Sequence, residues 1–136
     1  MTYAISQSLQ EAVFETLSTN AELTALVGSA VFDAEPEGMV PEIYVSLGVE
    51  TVRDRSTKSG AAAAHDIMVS VVTTAAGFKS AKVAAGVISD ALVGATPPLD
   101  RGGVCGIWFV RGRARRVRSK DTRRIDLTFR VLVEDE

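Results

Sequence analysis

The sequence contains a single cysteine, Cys105, and a single histidine, His65, in 136 residues. One cysteine cannot form an internal disulfide, so a disulfide framework is excluded and synthesis in a reducing compartment is expected. Any Ser-His-Asp triad would have to use the one histidine. Aromatic residues make up only 6% of the chain. This scarcity argues against a platform for single-stranded nucleic acid, in which stacking aromatic residues alternate with basic ones.

Long hydrophobic runs are also absent. No stretch approaches the roughly 18 apolar residues of a membrane-spanning helix, so no contact with a membrane is expected. The first residues, MTYAISQSLQEAVF, lack the basic segment and the apolar run of a signal peptide. The content of 46% hydrophobic and 24% charged residues is ordinary for a soluble globular protein. A chain of this length typically buries about 68% of its unfolded surface, and we expect one domain over residues 1–136.

Positive charge is missing from the first third of the chain and concentrated in the last third. Residues 1–42 contain seven acidic residues and no Lys or Arg, whereas residues 101–136 contain ten basic and five acidic residues. Residues 109–124, FVRGRARRVRSKDTRR, include eight Arg or Lys, although the net charge of the chain is −2. A subunit with one acidic and one basic end can associate with copies of itself.

Three segments have the periodicity of helices. Apolar residues recur at three- and four-residue spacing over residues 4–18, which predicts a first helix with one apolar stripe. Asn20 is suited to cap a second, short helix over residues 21–27, which Gly28 would end. A third helix is predicted over residues 77–94, where small alanines along the stripe would let the helix lie close to a sheet.

The remaining regular segments alternate with the period of strands. The last two predicted strands are joined near the sequence SKDT, and the second of them has the clearest alternation in the chain. A brief strand, VF, precedes a turn-rich acidic loop, and residues 53–64 are expected to form a long mobile loop. The longer strands are predicted over residues 42–52, 65–75, 104–118 and 123–134.

This order, α-α-β-β-β-α-β-β, predicts an α+β fold. We expect a mostly antiparallel sheet of about four strands with the helices packed on one face. The other face of the sheet should be polar and should contact solvent or a partner.

Few residues are candidates for chemistry. No nucleophile motif accompanies His65, which is expected to be a strand-edge histidine, and Cys105 lies in an apolar strand and is expected to be buried. Asp33, Glu35 and Glu37 alternate and could in principle hold a hard cation, but a solvated acidic loop is the favoured interpretation. No phosphate-binding glycine motif is present. The residues therefore predict neither an enzyme nor a cofactor.

The basic stretch is open to three interpretations. On a β-hairpin, Arg111, Arg113 and Arg115 would project together, and Arg116 and Arg118 would project to the other side. The stretch could be a solvated surface, could contact an acidic surface of a neighbouring copy or of another protein, or could contact a nucleic-acid backbone without reading its sequence.

Three stretches resemble one family over most of the chain, from about residue 7 to residue 133. They are TLSTNAELTALVGSAVFDAEPEG (16–38), PEIYVSLGVETVRDRSTKSG (41–60) and HDIMVSVVTTAAGFKSAKVAAGVISDAL (65–92). The segment RDRSTKSG (53–60) is the most specific part. The pattern resembles the tail-completion, or tail-terminator, proteins of long-tailed, siphovirus-like phages, especially those of gene transfer agents and prophages.

This resemblance implies a structural protein of the head–tail junction of a virion or virus-like particle, made in the bacterial cytoplasm. Six copies would form a ring on the head-proximal end of the tail tube. The ring would stop polymerisation of the tail tube protein and present a surface to the head-connector, or stopper, protein. DNA would pass through the ring without being read. The resemblance implies no cofactor and no catalysis.

Charged residues are the candidates for the contacts of such a ring. The arginines between residues 111 and 124 are expected to meet the acidic region 1–42 of the next subunit, or an acidic face of the tube, through a head-to-tail interface. An alternative places some arginines in the channel, against DNA. A different class of protein, a small non-enzymatic nucleic-acid-binding protein using the basic hairpin, is the second hypothesis. The candidate interface residues are Glu35, Glu37, Arg53, Asp54, Arg55, Lys58, Arg111, Arg113, Arg115, Arg116, Arg118, Arg123 and Arg124.

Overall fold

The helices and strands follow one another in the predicted order. The structure, a computed structural model, describes residues 3–135. A 3-10 turn, Arg118–Lys120, joins the last two strands close to the predicted position. The elements are α1 (Ser6–Ser18), α2 (Ala21–Val27), β1 (Val31–Phe32), β2 (Ile43–Asp54), β3 (Ala61–Thr73), α3 (Lys79–Leu92), β4 (Gly103–Val117) and β5 (Thr122–Asp135).

All five strands form one sheet, in the order β1-β2-β3-β5-β4. Three of its four pairings are antiparallel, and the short β1 pairs with β2 in parallel. The α+β class and the mostly antiparallel sheet are therefore confirmed, with five strands in place of about four. The sheet ends at β4 on one side. On the other side it ends at β1 and at the part of β2 that β1 does not cover.

The helices bury their apolar stripes against one face of the sheet. Leu9 and Leu17 of α1 and Ile88 of α3 are fully buried in the same cluster as the odd-numbered residues Ile125 to Val133 of β5. Each fully buried leucine or isoleucine side chain contributes about 2 kcal/mol of transfer free energy. The fully buried alanines of α3, Ala81 and Ala84, let this helix approach the strands closely. None of the helices described is long and apolar enough to cross a membrane.

The start and end of α2 follow the local sequence. The side chain of Asn20 accepts a hydrogen bond from the backbone N–H of Leu23 at 3.0 Å, which satisfies one of the free donors at the helix N-terminus. Gly28 at the C-terminus has a φ of 63°, a region that glycine enters without a steric penalty. The predicted cap and the predicted end of this helix are both confirmed.

The opposite face of the sheet, here called the open face, carries the even-numbered residues of β5. A small second cluster of buried residues, Ala30, Tyr44 and Val72, lies outside the main core and is packed against Phe32 of β1. The aromatic rings of Phe32 and Tyr44 meet edge to face, with centroids 5.9 Å apart. The rest of the open face carries mainly polar and charged side chains, as expected.

The prediction of a long mobile loop over residues 53–64 is wrong. The strand β2 continues to Asp54 and β3 begins at Ala61, so only residues 55–60 form the turn. The whole run Ala61–Ala64 pairs with Leu132 to Asp135 of β5, and Ala63 and Ala64 also pair with β2. Alanine has a low intrinsic preference for strands, but backbone pairing on both sides overrides this preference.

Candidate subunit interface

The arginines of β4 lie on an edge strand, and the strand register decides which way each one points. Arg111, Arg113 and Arg115 pair with even-numbered residues of β5 and share the open face. Arg116 pairs with Arg123 and belongs to the face that carries the helices. The predicted division of these four β4 arginines between the two faces is confirmed.

Two of the candidate arginines are placed differently from the others. Arg118 lies in the 3-10 turn and not on a strand, so the prediction that it shares a strand face with Arg116 is wrong. Arg123 donates a hydrogen bond to the carbonyl oxygen of Ala75 at 3.0 Å, and its guanidinium lies 5.6 Å from the ring centroid of Phe78. Arg123 therefore fastens the hairpin end of β5 to the segment before α3.

Arg124 is at the centre of a charged cluster on the open face. Its guanidinium donates to Glu35 at 2.6 Å, to Asp126 at 2.8 Å and to the hydroxyl of Ser70 at 3.1 Å. Glu35 in turn accepts a hydrogen bond from the hydroxyl of Tyr44 at 2.9 Å. The acidic segment after β1 is thus tied to the sheet, and the acidic partner of Arg124 belongs to its own chain.

The cluster favours the ionised form of both carboxyls. Burial by itself would raise the pKa of Asp126, but hydrogen bonds from Ser70 and Arg124 outweigh burial and hold this pKa below its usual value. For Glu35, burial is again opposed, here mainly by the hydrogen bonds from Arg124 and Tyr44, and the pKa is lowered. Burial of the hydroxyl, together with its hydrogen bond to Glu35, raises the pKa of Tyr44 to about 12.

A second charged cluster on the open face joins Arg130, Asp66 and Arg53. Arg130 donates two hydrogen bonds to the carboxylate of Asp66, at 2.8 and 2.9 Å, and Arg53 lies 3.8 Å from the same carboxylate. The hydrogen bond from Arg130 is the main reason that the pKa of Asp66 is lowered. This ion pair was not predicted from the sequence. The strict alternation of β5 places Arg130 on the polar face, but nothing in the sequence identifies Asp66 as its partner.

The remaining candidates are exposed and differ in how they are held. Arg115 lies 3.7 Å from Asp126, and Arg116 lies 3.3 Å from Asp121. Asp54 accepts hydrogen bonds from the hydroxyl and the backbone N–H of Ser56, which lower its pKa. Within residues 3–135, no ion pair is made by Glu37, Arg55, Lys58, Arg111, Arg113 or Arg118.

The strand β4 exposes apolar side chains as well as arginines. Trp108 is 51% exposed, Phe109 49% and Val110 38%. Cys105 is also exposed, so the prediction that it is buried is wrong. An irregularity of the register between Val104 and Gly106 leaves Cys105 as an extra residue, which breaks the alternation on which the prediction depended.

His65 is fully buried in β3, which pairs on both sides, so the expectation of a strand-edge histidine is wrong. Its Nδ1 lies 3.1 Å from Glu50, and this carboxylate also accepts hydrogen bonds from the hydroxyls of Tyr3 and Ser6, both at 2.6 Å. Its Nε2 has no hydrogen-bond partner within the described part of the chain. His65 therefore contributes to the attachment of the N-terminal helix to β2.

The three acidic residues after β1 do not act together. Glu35 is bound to Arg124 and Tyr44, whereas Asp33 and Glu37 are exposed. Across residues 3–135, no three His, Cys, Asp or Glu side chains are grouped closely enough to hold a metal ion.

Comparison with known proteins relates this geometry to a family. The model of the family described as tail completion protein gp17 matches residues 11–134. A chain in a solved structure described as the virion of a native gene transfer agent particle is 55% identical to this sequence. The superposition has a TM-score of 0.91 and covers 98% of this chain and 99% of that chain. Comparison with curated proteins finds no match.

Proposed function

The chain belongs to the tail completion protein gp17 family, and we propose that it forms a ring that closes the head-proximal end of a tail tube. It is a structural tail protein of a virion or virus-like particle of the gene transfer agent type. In the proposal, six copies form the ring, which stops further addition of tube protein. The ring also joins the tail to the head-connector protein and lets DNA pass through its centre.

The observation that carries the ring proposal is the separation of unpaired charge across the sheet. The strands β1 and β4 lie on opposite sides of it. Arg111 and Arg113 are exposed on β4, and they make no ion pair within residues 3–135. The exposed acidic residues without an ion pair in that range lie on α1, on α2 and around β1, away from β4. They are Glu11, Glu15, Glu22, Asp33, Glu37 and Glu42.

Opposite charges on opposite sides of one subunit favour head-to-tail contacts. Such contacts close into a ring when a whole number of copies completes one full turn. An isologous dimer formed through the β4 edge would instead bring the arginines of the two copies together, which is unfavourable. Glu35 and Arg124 are bound to each other within their own chain. In the proposal, Glu37 and Asp33 are therefore the acidic residues near β1 that contact the next subunit.

A structural role without catalysis is part of the proposal. His65 is fully buried, and reaching a substrate would require opening of the core. Cys105 is exposed, but partial desolvation of its thiol and the neighbouring Glu134 raise the pKa of this thiol, which makes it a poorer nucleophile at neutral pH.

Electron microscopy of particles from cells that lack this gene tests the function. We expect overlong or ragged tails, with filled heads that carry no tail. Particles with normal tails would contradict the proposal, because the tube would then end, and join the head, without this protein. Re-expression of the unaltered gene is the control and should restore tail length.

Charge reversal tests the contact between subunits. Arg113→Glu or Glu37→Arg alone should reduce the yield of particles with intact tails, because each places like charges at the interface. The double variant should recover much of this yield if the two sides meet. Lys79→Glu, at the start of α3 and on neither β1 nor β4, is a matched control and should have no effect. A double variant as defective as either single variant would exclude this pairing.

Nucleic-acid binding through the basic hairpin is the second candidate function. It is favoured by the shared face of Arg111, Arg113 and Arg115, of which two have no ion pair within the described chain. Binding to generic duplex DNA at several salt concentrations distinguishes the two functions. Three phosphate contacts would make log K fall with log salt with a slope of about −3. Weak binding with a shallow slope would exclude this second function and leave only the structural role.

A further inference from the structure

Both sides of the sheet have a strand with one edge uncovered. Among the strands of residues 3–135, β4 pairs with β5 alone. On the other side, β1 pairs with β2 only at Val45 and Ser46. Among the strands of the described residues, Glu50 to Arg53 of β2 therefore pair with β3 alone, and Val49 before them lies in a bulge. An uncovered strand edge presents backbone N–H and C=O groups that can pair with another strand.

The first half of β4 is not protected against such pairing. Its residues Gly103–Val110, GVCGIWFV, include no charged side chain, and three consecutive apolar residues among them are exposed. Proteins usually protect long edge strands with charged residues, proline or a covering element. The uncovered part of β2 also exposes an apolar residue, Val49, which is 68% exposed. Both edges therefore have the character of contact surfaces.

The two uncovered edges lie at the same height in the sheet. The strand register, followed through β5 and β3, places Trp108 level with Thr51, and Gly106 level with Arg53. Because the successive pairings from β2 to β4 are antiparallel, β4 runs opposite to β2. Two copies placed side by side in the same orientation would therefore bring β4 of one against β2 of the next as antiparallel strands.

The second half of β4 matches the charge of the next copy in the same arrangement. Followed through the sheet, Arg113 is level with Phe32 of β1, and Asp33 follows Phe32 directly. Hence the arginine half of β4 would face the acidic segment after β1, while the uncharged half would face the uncovered part of β2. A single placement satisfies both the strand pairing and the charges.

We propose that Gly103–Val110 of one copy pairs as an antiparallel strand with Val49–Arg53 of the next copy, so that the sheet continues from subunit to subunit around the ring. This inference rests on the proposed ring and specifies its interface. Strand pairing fixes the relative height and direction of neighbouring copies. Attraction between charged side chains does not fix them, because it has little directional preference. It also explains why exposed tryptophan and phenylalanine side chains occur on an edge strand of a tail protein.

Disulfide cross-linking tests the pairing with the native Cys105. Paired residues in neighbouring antiparallel strands have Cα atoms about 4.5–5.5 Å apart, within the range that a disulfide spans. Arg53→Cys places a second thiol on the opposite edge at the height of Gly106, next to Cys105. Thr51→Cys, made separately, places it level with Trp108, three residues away from Cys105. Both native side chains are exposed, so both variants should fold. Particles purified from each variant are treated with a mild oxidant and separated on a non-reducing gel.

We expect a ladder of cross-linked copies from Arg53→Cys and a weaker ladder or none from Thr51→Cys. Reduction should return the ladder to the single-chain band. The ladder should disappear when Cys105→Ser is added. Val83→Cys, exposed on α3 at 47%, is the matched control and should give no ladder.

The outcomes separate this inference from the proposed function. Particles that have normal tails and contain both variant proteins, but give no ladder, would overturn the strand pairing and leave the ring proposal standing. Absence of the unaltered protein from purified particles would overturn both.

Discussion

The buried contact between Glu50 and His65 allows a quantitative prediction for Glu50→Ala. The Glu50 carboxylate accepts three hydrogen bonds, from the hydroxyls of Tyr3 and Ser6 and from Nδ1 of His65. These contacts attach the start of α1 to the middle of the sheet. Removal of the carboxylate leaves the imidazole N–H without an acceptor at a position that is 0% exposed.

The expected loss is dominated by this stranded donor. A buried donor without a partner costs about 1–3 kcal/mol, and a hydrogen bond to a charged group contributes about 1.5–3 kcal/mol. The cost of burying the carboxylate offsets part of the stabilisation from these hydrogen bonds. Tyr3 is 64% exposed, so its hydroxyl can bind water when the carboxylate is removed. We therefore expect Glu50→Ala to lower the free energy of unfolding by about 3 kcal/mol. Glu50→Gln keeps an acceptor for His65 and should cost about 1 kcal/mol.

Urea unfolding followed by circular dichroism measures these differences. Glu15→Ala, an exposed position on α1 without an ion pair in the described chain, is the control and should change stability by less than about 0.5 kcal/mol. A loss for Glu50→Ala as small as that of the control would refute the reasoning. Equal losses for Glu50→Ala and Glu50→Gln would show that the charge, and not the acceptor for His65, is what matters.

The pH dependence gives an independent check. Burial would raise the pKa of Glu50, but the hydrogen bonds from Ser6, Tyr3 and His65 outweigh burial and lower this pKa below its usual 4.5. A lowered carboxyl pKa means that the unfolded state takes up its proton first as pH falls. The contribution to stability is therefore complete above pH 4.5 and is lost as pH falls through the folded-state pKa. The stability difference between wild type and Glu50→Gln should shrink between about pH 7 and about pH 3.5.

Two further stability changes follow from the structure and are measurable by the same unfolding experiment. Asp126→Ala removes a hydrogen-bonded partner of Arg124 on the open face and should cost about 2 kcal/mol, whereas Asp126→Asn should cost about half as much; equal costs would contradict the role of the charge. Gly102→Ala should cost more than about 2 kcal/mol, because Gly102 has a φ of 71° and an added Cβ would collide with the carbonyl oxygen of Glu134. Gly38→Ala, at a φ of 74° but with open space around it, should cost only about 1 kcal/mol, and an equal loss would exclude the collision as the cause.

The candidate interface was only partly predictable from the sequence. Residue types and strand alternation are enough to place Arg111, Arg113 and Arg115 on one face, because side-chain direction follows from the period of two. They do not indicate that Arg124 is bound to Glu35 of the same chain. This ion pair joins positions 89 residues apart, and its formation depends on the path of the acidic segment over the sheet.

By itself, the sequence determined the elements and their order in this protein. The helical stripes, the Asn20 cap and the alternation along β5 are local patterns, and local backbone geometry turns them directly into helices and strands. The segregation of acidic and basic residues between the two ends of the chain is likewise visible before any folding.

Only the tertiary structure decided what each ambiguous residue does. Ala61–Ala64 became strand because β5 pairs with the whole run and β2 with Ala63 and Ala64. Cys105 became exposed because the register shifts at that point. His65 became a buried partner of Glu50, a contact between two strands. The physical reason is the same in each case: the register of long-range strand pairing decides the outcome, because its hydrogen bonds outweigh the small free-energy differences in local preference.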